Sequence, residues 1–184
     1  FGNNKQVVIR TSTLTGESLA IVSTSLKGVK TLENVKVTSY EKLQKGESAN
    51  ITERVCDKDW RVSAQSFFQA SPQGSQLLVR TVKEIIHENV TETASMLDLY
   101  SGVGIFAGTI GSGRKVTAVE QNTSAVKDSI HNLGDSVNHV CTSVEKWETS
   151  PHDFVVANPS RSGMSKQVPI IVDQTGAEFV VLIS

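Results

Sequence analysis

The segment Asp98-Leu99-Tyr100-Ser101-Gly102-Val103-Gly104 places a carboxylate at the end of an apolar run, with glycines four and six residues beyond it. Glycine lets backbone approach a bound molecule where a Cβ would collide, and N–H groups at the start of a following helix face a carboxylate or a phosphate. Glu120 closes the next apolar run, Lys115-Val116-Thr117-Ala118-Val119. An acidic side chain there can accept hydrogen bonds from both hydroxyls of a ribose. Two ligand classes meet these requirements. Gly102-Val103-Gly104-Ile105-Phe106-Ala107 satisfies the dinucleotide fingerprint, with an acid about 20 residues later. Asp98 separates the two, because a carboxylate repels a pyrophosphate and attracts the ammonium and sulfonium of S-adenosylmethionine. The expected ligand is therefore S-adenosylmethionine.

A further candidate is Asn158-Pro159-Ser160-Arg161-Ser162-Gly163, directly after the apolar run Phe154-Val155-Val156-Ala157. A polar side chain followed by a stiff proline turn at a strand's carboxyl end is suited to hold a reacting group. The remaining residue types carry less chemistry. Cys56 and Cys141 lie far apart without Cys-x-x-Cys spacing, which excludes a disulfide framework and a cysteine-built metal site. Asp57 beside Cys56 raises a thiol pKa, and Cys141 inside an expected strand reads as a buried, inert thiol. His87, His131, His139 and His152 show no ligand spacing, so no metal is expected. Trp60 and Trp147 read as packing residues, the alternative being that Trp60-Arg61 near Phe67 borders an RNA channel. Asp153 reads as a loop charge.

These residues need strands and helices to carry them. Val7-Val8-Ile9-Arg10, Ser18-Leu19-Ala20-Ile21-Val22 and Val35-Lys36-Val37-Thr38 are short β-branched runs punctuated by Gly16, Gly28 and Gly46, the pattern of a small antiparallel sheet. The pattern changes at Ser71-Pro72, an N-cap and a first-turn proline. Leu77, Leu78, Val82, Ile85 and Ile86 then recur at helical spacing over roughly four to five turns. Strands at 96–100, 115–120, 140–142, 154–157 and 179–184 then follow, with a helix over Thr123–Leu133. The fold class expected is α/β, a doubly wound, mostly parallel sheet preceded by a small β-rich unit. We place that unit at residues 1–62 and the main domain at residues 63–184.

The chain has 184 residues, 38% of them hydrophobic, enough for one main core. Eighteen basic and nineteen acidic residues leave a net charge of -1, so no electrostatic footprint marks a nucleic acid or an anionic membrane. No run of about 18 apolar residues suggests a membrane span. A cytoplasmic monomer is the expectation. Phe1 in place of methionine, and a final strand that stops at Ser184, read as an excised piece.

Taken in order, Ser66-Phe67-Phe68-Gln69, Leu97 to Gly104, Val119-Glu120 and Asn158 to Gly163 resemble the RNA 5-methyluridine methyltransferases. The likeness runs over about residues 60–184. It implies a class I methyltransferase (Rossmann-like) fold, S-adenosylmethionine as cofactor and structured rRNA or tRNA as partner. It also implies that Gln69, Tyr100, Glu120 and Asn158 contact the cofactor or the reacting centre, with Asp98, Gly102 and Gly104 shaping the loop. Ser143 falls at the adenine side, and Arg161 matches the arginine of the family's Asp-Pro-Pro-Arg motif. This chain departs from that motif at Asn158 and Ser160, and from the family's frequent cysteine at Ser101.

In such enzymes a cysteine thiolate adds to uracil carbon 6, carbon 5 attacks the methyl group, and a base removes the carbon 5 proton before the thiolate leaves. The family's nucleophilic cysteine follows a serine that Ser184 matches. The expectation is that the segment by itself, lacking that cysteine and the general-base glutamate, is inactive. A methyltransferase acting on exocyclic amino groups, which needs no cysteine, and a degenerate module that binds cofactor or RNA without turnover are the alternatives.

Overall fold

A computed structural model describes residues 6–23, 26–27, 30, 33–69, 71–161 and 163–183. Gly28, Ser162 and Ser184 lie outside the described residues. The chain opens with β1 (Val7–Thr11) antiparallel to β2 (Ser18–Val22), joined by a turn that Gly16 completes at φ 76°. β3 (Val35–Ser39) then pairs with β2 in parallel. That corrects the antiparallel expectation: alternating sequence reports which face is buried and carries no information on strand direction.

Ser39 caps α1 (Tyr40–Gln44), after which β4 (Asn50–Val55) and β5 (Lys58–Ser63) form a separate hairpin. Its two-residue turn holds Cys56 and Asp57 at φ 52° and 59°, the doubly left-handed geometry that suits the twist of a hairpin. Leu19, Ile21, Leu43 and Ile51 make a small core between these elements.

α2 (Pro72–Asn89) starts where the Ser71 hydroxyl accepts from the Gly74 N–H at 3.0 Å. Its buried face is Pro72, Ser75, Val79, Val82 and Ile86, spaced three and four residues apart, while Leu77 points to solvent. Five parallel strands follow: β6 (Met96–Leu99), β7 (Val116–Glu120), β8 (Asn138–Cys141), β9 (Phe154–Ala157) and β10 (Phe179–Leu182). Their spatial order is β10-β9-β6-β7-β8, with α3 (Ile105–Thr109), α4 (Thr123–Leu133) and α5 (Val168–Gln174) in the connections. The chain winds outward in one direction from β6 through β7 and β8, and in the other through β9 and β10, so the switch point lies between β6 and β9.

Helices cover both faces, which is why β6 and β9 are buried at every position. Alternation sends Met96, Ala118, Phe154 and Val156 to one core with Val79, Val82, Phe106 and Trp60. Leu97, Leu99, Val119, Val155 and Ala157 go to the other, with Val168 and Ile171 of α5. Trp60, fully buried and donating from its indole N–H to the Val55 carbonyl, joins the β4–β5 hairpin to the first core and borders no channel. No helix among the described residues is long and apolar enough to cross a membrane.

Candidate functional site

The carboxyl edge of the parallel sheet gathers residues that the sequence spreads over about a third of the chain. Asp98 lies in β6 on the same face as Met96, fully buried against α3. Its Oδ2 accepts from the Ala107 N–H at 2.9 Å, and its Oδ1 is buried without a hydrogen-bond partner. Burial pushes its pKa up to about 8, the Ala107 N–H opposes that, and the nearby charge of Glu120 adds to it. In the ligand-free protein Asp98 is therefore largely neutral at pH 7. A cation brought against Asp98 would favour its ionised form.

After β6 the backbone turns through left-handed conformations at Tyr100 (φ 59°), Gly102 (φ 56°) and Gly104 (φ 91°). The two glycines serve different ends. A Cβ on Gly104 would meet Ser129 Oγ at 2.6 Å and Leu133 Cδ1 at 2.7 Å, so this glycine admits α4. A Cβ on Gly102 would meet nothing within 4 Å, so that position borders open space. Glu120 ends β7 with Oε2 accepting from the Gly102 N–H at 3.0 Å and Oε1 from the Asn122 N–H at 2.7 Å.

Asn158 follows β9 directly, half-buried, its N–H reaching the Leu99 carbonyl at 3.3 Å, beside the start of the glycine loop. Arg161 is exposed beyond it. Tyr100 is partly buried against the core that contains Leu97, Leu99 and Val144, and burial and then the Glu145 carboxylate raise its hydroxyl pKa. Ser143 lies just past β8 next to the 3-10 turn Val144–Lys146, and its hydroxyl, with that of Ser165, helps hold Glu145 below the usual carboxylate range after the backbone N–H. Asp98, Tyr100, Gly102, Gly104, Glu120, Ser143 and Asn158 thus share one edge.

Gln69 is exposed. The segment before it is anchored to the edge, since the Asn122 side-chain amide donates to the Gln65 carbonyl at 3.0 Å. Phe67 is 71% exposed, a large apolar ring left in solvent next to this anchor.

Sequence reasoning overlooked Asp128, which is fully buried on α4 and accepts from Ser63 and Ser66. Its position on the helix gives a signal, for it stands among Ala125, Val126 and Ser129 on the buried face. Cys141 is exposed at the end of edge strand β8, which corrects its expected burial. Cys56 is half-buried in the hairpin turn, its thiol pKa raised chiefly by burial. His152 is buried, bonded to Ser150 O and Thr117 Oγ1, and no group of metal-ligating side chains occurs among the described residues.

No family model matches the chain. An uncharacterized RNA methyltransferase of Enterococcus faecalis is 30% identical over 148 residues, covering 74% of this chain and 32% of its own length. The tRNA (uracil(54)-C(5))-methyltransferase of Pyrococcus horikoshii is 30% identical over 139 residues, 73% of this chain and 33% of its own. The chain thus spans about a third of the length of the curated relatives it matches. Among solved structures, the Pyrococcus abyssi tRNA (uracil-54, C5)-methyltransferase in complex with S-adenosyl-L-homocysteine aligns with a TM-score of 0.72. That alignment covers 96% of this chain and 48% of the other at 20% identity, a shared fold.

Proposed function

We propose that this chain, whose homologues are RNA (uracil-C5) methyltransferases, carries the S-adenosylmethionine site of an enzyme that methylates carbon 5 of a uridine in structured RNA. The observation that carries this reading is the Asp98–Glu120 edge. A buried carboxyl with an unpartnered oxygen shares one strand-loop unit with a glycine that borders open space, and a second carboxylate stands across the loop. Such an edge fits a ligand with a ribose and positive charge. When bound, the cofactor supplies an electrophilic methyl group on a sulfonium.

In this reading the chain's own residues bind and orient. Glu120 accepts hydrogen bonds from the ribose hydroxyls, and Asp98, once ionised, balances the ligand's charge. Gly102 allows the ligand close to the backbone, Gly104 shapes the loop by admitting α4, and Ser143 borders the adenine side. Asn158 and Tyr100 flank the switch point, where a methyl donor and a target base meet, with Gln69 and Arg161 at the rim. The exposed Phe67 ring supports RNA as partner, because an aromatic face in solvent can stack on an unpaired base. Residues 63–184 carry the site and residues 1–62 form a β-rich platform beside it.

Neither cysteine of this chain suits the carbon 6 addition. Cys56 sits in the hairpin turn against α2 with a raised thiol pKa, and Cys141 lies on the far side of β7 from Asn158. The attacking thiol is therefore assigned to another part of the enzyme, and this segment alone is expected to be inactive.

The test supplies tritiated S-adenosylmethionine with unmodified tRNA and rRNA to the full-length protein, and maps the product by mass spectrometry. Label on carbon 5 of a uridine is the expected result. Label on an exocyclic amino group would move the protein to the other methyltransferase class. Heat of binding for a nicotinamide dinucleotide and none for S-adenosylhomocysteine would overturn the site.

A further inference from the structure

α4 reaches two separate parts of the candidate site. Its N-cap, Asn122, accepts from the Ser124 and Ala125 N–H groups and donates to the Gln65 carbonyl. One and a half turns on, Asp128 accepts at one oxygen from the Ser63 N–H at 2.7 Å and the Ser66 hydroxyl at 2.6 Å. Its other oxygen accepts from the Ser63 hydroxyl at 2.7 Å. The Arg61 guanidinium lies 3.2 Å from that same oxygen. One turn further, the Asn132 side chain brackets the Arg61 backbone, accepting from its N–H and donating to its carbonyl. It also donates to the Val103 carbonyl in the glycine loop at 3.1 Å. From the opposite side, Arg10 of β1 donates to the Ser63 and Ser66 carbonyls at 3.1 and 2.7 Å.

The carboxylate of Asp128 is fully buried, and such a charge is tolerated only when its lone pairs are occupied. Here the occupants come from one short segment, which runs straight into Phe67-Phe68-Gln69. The same rigid helix starts three residues after Glu120. Gln69 is three residues past Ser66, so at most about 10 Å of chain separates it from this anchor.

We propose that Asp128 is a positioning residue that acts through Ser66, fixing Gln69 relative to the Glu120 edge and so setting the affinity for the cofactor. This rests on the reading of that edge as a S-adenosylmethionine site. The positioning role separates from the stabilising one at Ser66, because Ser63 and Ser66 bond the same carboxylate while only Ser66 adjoins the Phe67–Gln69 segment.

The experiment measures the dissociation constant of S-adenosylhomocysteine by calorimetry, together with the melting temperature. The proteins are the full chain and its Ser66→Ala, Ser63→Ala, Gln69→Ala, Glu120→Ala and Ser66→Ala/Gln69→Ala variants. Ser66→Ala should weaken binding up to about tenfold, the scale of ordering on binding a side chain that the wild type already holds in place. Ser63→Ala should lower the melting temperature comparably with affinity retained. In the Gln69→Ala background, Ser66→Ala should cost less than about twofold, as expected when two residues act as one unit. Wild-type affinity in Ser66→Ala, or an undiminished loss in the Gln69→Ala background, would overturn the proposal. If Glu120→Ala binds normally, the reading of the edge fails and the proposal with it. If Glu120→Ala weakens binding and Ser66→Ala does not, only the positioning role fails.

Discussion

The Gly102 N–H donates to Glu120 Oε2 at 3.0 Å, so the tip of the glycine loop and the end of the neighbouring strand are joined before any ligand arrives. With the Asn122 N–H on Oε1, both carboxylate oxygens are held in place and each keeps a lone pair for a further donor. The side chain is thereby preorganised and bears little ordering cost on binding.

Glu120→Ala should accordingly lose about 1.5 to 3 kcal/mol of affinity for S-adenosylhomocysteine, the range for hydrogen bonds to a charged group. Calorimetric titration measures this directly. An unchanged dissociation constant would show that the ribose is not held at this carboxylate.

The two loop glycines should separate stability from binding. At Gly104 an added methyl meets Ser129 and Leu133 and the backbone is left-handed, so Gly104→Ala should cost about 2 to 4 kcal/mol in urea unfolding. At Gly102 only the left-handed backbone opposes the change, about 1 kcal/mol, while the new methyl projects into the open space beside the loop. Gly102→Ala should therefore melt close to wild type and bind cofactor poorly. The reverse ranking of the two would contradict the division of roles.

Asp98 gives the protein a stability that declines as pH rises. Its folded pKa, about 8, lies above the value of about 4 expected in the unfolded chain. Between those limits the folded state retains a proton that the unfolded state has released, so this contribution is complete below pH 4 and lost as pH rises through 8. Asp98→Asn, neutral throughout, should flatten the decline across that window, as urea titrations at successive pH values would record. Binding of a cationic ligand favours ionised Asp98, so cofactor affinity should increase with pH up to about 8. Calorimetry in buffers of different ionisation enthalpy should detect the released proton, and a pH-independent affinity would remove Asp98 from charge balance.

The β4–β5 turn should tolerate improvement. Asp57 holds φ at 59° at the second turn position, where glycine carries no steric cost. Asp57→Gly should raise stability by about 0.5 to 1 kcal/mol, seen as a higher melting temperature with unaltered cofactor binding. A lower melting temperature would mean that the aspartate makes a compensating contact.

Much of this was present in the order of residues. Thr123–Leu133, Phe154–Ala157 and Ser18–Val22 are a helix and two strands at the boundaries read from pattern, because a 3.6-residue or continuous apolar signal, closed by caps and turns, is local. The carboxyl-edge cluster was likewise legible. Strand-loop-helix repetition in a parallel sheet sends every strand end to one side, so Asp98, Glu120 and Asn158 had to converge once β6, β7 and β9 paired.

What tertiary structure alone decided concerns partners distant in the chain. The parallel pairing of β2 with β3 depends on how the intervening chain returns, and the exposure of Cys141 on which strand lies at the edge. The bonds from Ser63 and Ser66 to Asp128 span more than sixty residues, beyond the reach of any periodic signal. Asp98 shows the two levels together. Its type and place were written in the sequence, whereas its unpartnered oxygen and raised pKa came from the packing of α3 over β6, which removed water from a carboxyl and supplied only one N–H in exchange.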